Sequence, residues 1–113
     1  MMEAKTMMPG LERIRTRFLD MLSERLTEID RLCDPSVSGL SPRDALTQVQ
    51  MILHKIAGTA GTLGMNDLGD KARAGENVII DFLGSGGAAK HQVYRTVASF
   101  IIHAEQTLDG ARA

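Results

Sequence analysis

Apolar residues recur along this chain every three or four positions, the interval that places them on one face of a helix. After Pro9-Gly10, the positions Leu11, Ile14, Phe18, Met21, Leu22, Arg25, Leu26, Ile29 and Leu32 form one stripe. It predicts a long amphipathic helix ending near Asp34-Pro35, because proline disfavours helical geometry in the residue before it. Pro35 to Leu40 reads as a short loop. A second helix has a marked start, with Ser41 as cap, Pro42 in the first helical position and Asp44 completing a box-like pattern. It should run to about Leu63 and stop at Gly64, a residue suited to a left-handed C-terminal cap. Asn66 suits the capping of a third helix that carries Leu68, Ala72, Gly75, Val78, Ile79, Phe82 and Leu83. Gly84-Ser85-Gly86-Gly87 is a flexible break, and a fourth stripe holds Val93, Val97, Phe100, Ile101, Ala104 and Leu108. No segment shows the period-two alternation of a half-buried strand. The expected fold is all-α, an antiparallel up-down-up-down four-helix bundle with short connections.

Length and composition narrow this picture. With 113 residues the chain is expected to form one domain over 1–113, in which 1–9 is a flexible N-terminal segment or an extra short helix holding Met1, Met2, Met7 and Met8. Hydrophobic residues make up 43%, enough for a packed core, but aromatic residues are only 4% and Trp is absent. The core should therefore be aliphatic and Met-rich. Thirteen basic and 14 acidic residues give a net charge of −1. That balance offers no basic surplus for a nucleic-acid backbone and no polybasic membrane anchor. No apolar stretch is long enough to span a bilayer. Cys33 is the single cysteine, so an internal disulfide is impossible, and Met1 to Gly10 lacks the shape of a secretory signal. A cytoplasmic monomer is the expectation.

Candidate chemistry lies on the second helix. With about 100° per residue and His54 set at zero, Ala45, Leu46, Val49, Ile52, Leu53, Ile56, Ala60 and Leu63 fall between about 160° and 280°. That core stripe lies nearly opposite His54, which therefore points outward. Ala57, Gly58 and Gly61 project within about 60° of the histidine. Two glycines inside a helix cost about 1 kcal/mol each relative to alanine. One reason to keep them is close approach of another backbone or a partner to a solvent-facing imidazole. Thr47, Gln50 and Met51 share this face one and two turns earlier and would complete a docking surface. Imidazole titrates near neutrality and forms covalent intermediates, so its uncharged nucleophilic form is available at pH 7. Small residues also let two helices of one bundle pack tightly, so periodicity alone leaves both readings open.

The remaining polar residues suggest less. His91 and His103 stand twelve residues apart in the fourth helix, which is not the spacing of metal ligands on adjacent turns, and no metal site is expected. Cys33 ends an apolar stripe and reads as a small hydrophobe. Thr59 and Thr62 read as surface fillers, and Lys71, Arg73 and Glu76 as a solvated face.

The run His54-Lys55-Ile56-Ala57-Gly58-Thr59-Ala60-Gly61-Thr62-Leu63-Gly64-Met65 resembles the phosphorylation motif of histidine-containing phosphotransfer (HPt) domains, and Leu68, Ala72 and Glu76 match the spacing of that family's following helix. The resemblance covers roughly Leu46 to Glu76. It implies that His54 accepts a phosphoryl group and exchanges it with a receiver-domain aspartate, and that Gly58 gives the receiver room. The expected partners are a response-regulator receiver domain and a hybrid histidine kinase. The domain itself would need no cofactor and have no autonomous kinase activity, with Mg2+ held by the receiver. Two positions depart from the pattern. Ala57 stands where the family usually has Lys, and Lys55 could reach back toward the phosphate in its place. Gly75 stands where the family often has Leu, which should weaken packing without touching chemistry.

Two rivals are set against this. The phosphoacceptor region of a histidine kinase usually carries an acidic residue directly after its histidine and a Pro soon after, but here Lys55 follows and no Pro occurs beyond Pro42. The alternative function is a helical-bundle adaptor that docks on a signalling partner without being phosphorylated.

Overall fold

A computed structural model describes residues 9–84 and 87–112; the expectations for residues 1–8 and for Ser85-Gly86 lie outside the described residues. The described residues are all-α, with five helices: α1 (Pro9–Leu32), α2 (Pro35–Ser38), α3 (Pro42–Thr62), α4 (Asn66–Leu83) and α5 (Lys90–Arg112). No described helix is long and apolar enough to cross a membrane.

The local chemistry explains the boundaries. Ser41 Oγ accepts the Asp44 N–H at 3.1 Å and Pro42 opens α3, as the pattern anticipates. At the other end Gly64 has φ +78°, a left-handed conformation that L side chains rarely adopt. Its N–H reaches Gly61 O at 3.2 Å and the next N–H, of Met65, reaches Ala60 O at 2.8 Å. These paired bonds close the last turn of α3 and satisfy its free carbonyls.

At two boundaries the structure departs from the expected pattern. Asn66 does not cap α4 but is its first helical residue; Met65 occupies the cap position with no side-chain bond. The reason is economy of chain, because the residue that closes α3 also opens α4. The segment after α1 is not a plain loop either. Asp34 Oδ1 accepts from the Ser36 N–H at 3.0 Å, Pro35 supplies the first helical position, and one helical turn forms before left-handed Gly39.

α3 packs most extensively on α4 and α4 on α5, while α1 closes against α3 and α5. Phe100, Leu22, Ile29, Leu46, Leu53, Leu68, Ile79, Val49 and Val93 are fully buried where these faces meet. Among the described residues the core is mainly aliphatic, with Phe18 and Phe100, and is not Met-rich. Met21 and Met51 are exposed and Met65 is partly buried, because branched aliphatics and alanine fill the close inter-helix space. Leu11 and Ile14 of the first stripe are also exposed, since α1 is less completely covered than α3 and α4.

Candidate functional site

The register of α3 carries His54 outward. Val49, Leu53, Ile56 and Ala60 point into the core, and the imidazole on the opposite side is 72% exposed. One edge of the ring is nevertheless held. His54 Nδ1 lies 2.8 Å from Glu76 Oε2 of α4, and Gln50 Nε2, one turn before the histidine, donates to the same oxygen at 2.8 Å. Glu76 is the buried charged residue among those described, with its side chain 11% exposed. Burying a carboxylate is unfavourable unless donors reach it, and Gln50 and His54 are those donors.

The contact favours one tautomer when the ring is neutral and the carboxylate ionised. An ionised carboxylate accepts hydrogen bonds and cannot donate, so the shared proton belongs to Nδ1. Nε2 then bears the free lone pair and faces solvent. Such a site can offer one oriented ring nitrogen to an electrophile, with a carboxylate behind it able to offset positive charge on the ring.

Glu76 overturns the solvated-face expectation. Its register reveals why: it follows Ala72 by four residues and precedes Ile79 by three, within the buried stripe of α4. An acid in core register needs a partner, and that signal was legible in the sequence. Lys71 and Arg73 are exposed as expected, Lys71 Nζ lying 3.5 Å from Ser99 Oγ.

The residues grouped with His54 separate into two sets. On one side α4 lies directly over α3, and Ala57 is buried at 3% exposure rather than lying on an open face. A Cβ added at Gly69 of α4 would meet the Ala57 carbonyl oxygen at 3.3 Å, so the backbones approach closely here and position 57 faces a neighbouring helix. On the other side α1 and α3 leave an open groove of about 940 Å³, lined by Met21, Arg25, Met51, Lys55, Gly58 and Thr59 together with His54. Gly58 and Gly61 are exposed, and among the described residues nothing beyond the local helix backbone lies within 4 Å of where their Cβ atoms would be. Packing among the described residues does not account for them. Thr47 is exposed, and its hydroxyl donates back to Arg43 O at 2.9 Å.

Two cations line the groove. Arg25 Nη1 pairs with Glu28 Oε1 at 3.0 Å, whereas the exposed Lys55 makes no ion pair among the described residues. His91 and His103 stay apart, and no three His, Cys, Asp or Glu gather as a metal-ligand set among the described residues. Cys33 is half-buried; burial, and secondarily Asp30, push its thiol above the usual range, which favours the protonated form.

A family model described as Hpt domain matches residues 13–112 of the chain. No curated protein matches the chain, and no solved structure does.

Proposed function

The chain belongs to the Hpt domain family, phosphocarriers that serve receiver domains and histidine kinases in two-component signalling, and we propose that His54 is the residue that carries the phosphoryl group. The observation that carries this reading is the 2.8 Å contact of His54 Nδ1 with Glu76, on an imidazole otherwise open to solvent. In the proposed step the Nε2 lone pair forms the N–P bond as the acyl-phosphate O–P bond of a receiver aspartate breaks, and the aspartate departs as carboxylate. The Nδ1 proton stays in its bond to Glu76, whose charge offsets the positive ring. The reverse step passes the group to another receiver aspartate. Such transfer depends on in-line approach and neutralised charge. The receiver contributes its aspartate and Mg2+, and this chain contributes the oriented nitrogen.

Gly58 and Gly61 leave the His54 face clear for that approach, and the groove between α1 and α3 receives part of the receiver's surface. The packing order α1–α3–α4–α5 and the short α3–α4 connection support an antiparallel up-down-up-down bundle as its scaffold. On this reading the carrier works as a cytoplasmic monomer built on this domain. Uptake of labelled phosphate from a phosphorylated receiver tests the assignment. Wild type takes up label that is lost in acid and survives alkali, and His54→Gln takes up none. Retention of label by His54→Gln would refute it, and partner binding by a wild type that never takes up label would favour an unphosphorylated adaptor.

Lys55 is the cation proposed to face the phosphoryl oxygens, in the role that Ala57 cannot fill. Lys55→Ala is expected to slow transfer about tenfold, the loss of one solvent-accessible charge contact to an anion. Stopped-flow transfer from a phosphorylated receiver measures this, and unchanged rates would remove Lys55 from the site.

A further inference from the structure

The two residues that meet at the site, His54 and Glu76, each follow directly on a residue of one tight packing contact. A Cβ placed on Gly75 of α4 would lie 2.9 Å from Leu53 Cδ1 of α3 and 3.9 Å from Val97 Cγ2 of α5. The first distance is closer than real Cβ atoms approach, so Leu53 occupies the volume that a side chain at 75 would need. Leu53 is 0% exposed, and turning its tip aside would displace other core side chains. Gly69 makes a second close contact on the same helix, where a Cβ would lie 3.6 Å from both Ala60 Cβ and Gly61 N. α4 is thus seated on α3 at two points six residues apart, and Glu76 adjoins one of them.

We infer that Gly75 is a positioning residue for His54: by admitting Leu53 it sets the separation of α3 and α4 at which the Glu76 carboxylate reaches Nδ1. A Cβ at 75 requires either the buried Leu53 tip or the helix pair to shift, and a shift of α4 relative to α3 changes the length and angle of the 2.8 Å contact. Such a role runs against the expectation that Gly75 touches no chemistry, and the measurement below decides between them. The inference rests on the proposed roles of His54 and Glu76, and its test separates the two.

The measurement is imidazole 15N NMR of uniformly labelled full-length chain, paired with transfer rates from a phosphorylated receiver. Wild type gives the Nδ1–H tautomer of His54. Gly75→Ala moves the ring toward the Nε2–H tautomer and slows transfer about tenfold to a hundredfold, the range for misplacing a reacting group by an ångström or less. Leu53→Val/Gly75→Ala shifts one methyl group across the contact at nearly constant volume and restores both the tautomer and the rate. A folded Gly75→Ala with wild-type tautomer and rate overturns the inference. A double variant that folds yet stays in the Nε2–H form also overturns it, including where Gly75→Ala alone does not fold. Glu76→Ala is the control. If it too leaves tautomer and rate unchanged, the proposed role of Glu76 fails; if it changes both while Gly75→Ala changes neither, the role of Gly75 fails alone.

Discussion

Glu76→Ala slows phosphoryl transfer through His54 about a hundredfold while leaving the chain folded, an effect in the range seen when the group that orients an imidazole is removed. Three consequences combine. The ring loses the acceptor that holds the proton on Nδ1, so part of the population presents Nε2–H, which has no lone pair for phosphorus. The positive charge that develops on the ring during attack loses its counter-charge. The ring also becomes free to rotate out of line. Gln50 loses its partner as well, but it is half-buried and water can reach it, so the structural penalty is small. Glu76→Gln keeps an acceptor oxygen in place and falls between wild type and Glu76→Ala. Single-turnover transfer at saturating phosphorylated receiver measures the effect, and a wild-type rate in Glu76→Ala would show that the 2.8 Å contact has no part in the chemistry.

Gly58→Leu has opposite effects on fold and function. Among the described residues nothing beyond the local helix backbone lies within 4 Å of a Cβ at 58, and the position is an exposed helix interior. Replacing glycine there should raise stability by about 0.5–1 kcal/mol, the helix-propensity difference. The same side chain stands one turn from His54 on the face a receiver must approach. Transfer is expected to fall about a hundredfold, as expected when the reacting atoms are kept apart by an ångström or more. Thermal unfolding and transfer rates on the same preparation check both signs. A stabilised protein with unimpaired transfer would place the receiver on another face.

Much of this was legible in the sequence, and the remainder has identifiable causes. The α3 stripe and the Ser41–Pro42 start aim His54 outward, because helical register is a property of one segment and its caps. Contacts between segments were harder to read. Ala57 and Gly58 are neighbours on the same helical wheel, yet one is covered by α4 and the other is open; only the position of α4 distinguishes them. Gly75 suggested weak packing because its own missing side chain was visible in the sequence and the Leu53 that fills the space was not. Glu76 was nearer to hand, since an acid three residues before Ile79 and four after Ala72 stands in core register.

The most direct test of the central claim is 31P and 15N NMR of the chain phosphorylated by a receiver, with imidazole nitrogens labelled. The account predicts one phosphohistidine, on His54, with 15N–31P coupling at Nε2 and the proton retained at Nδ1. Phosphate on Nδ1 of His54, on His91 or His103, or on a side chain other than histidine would contradict it.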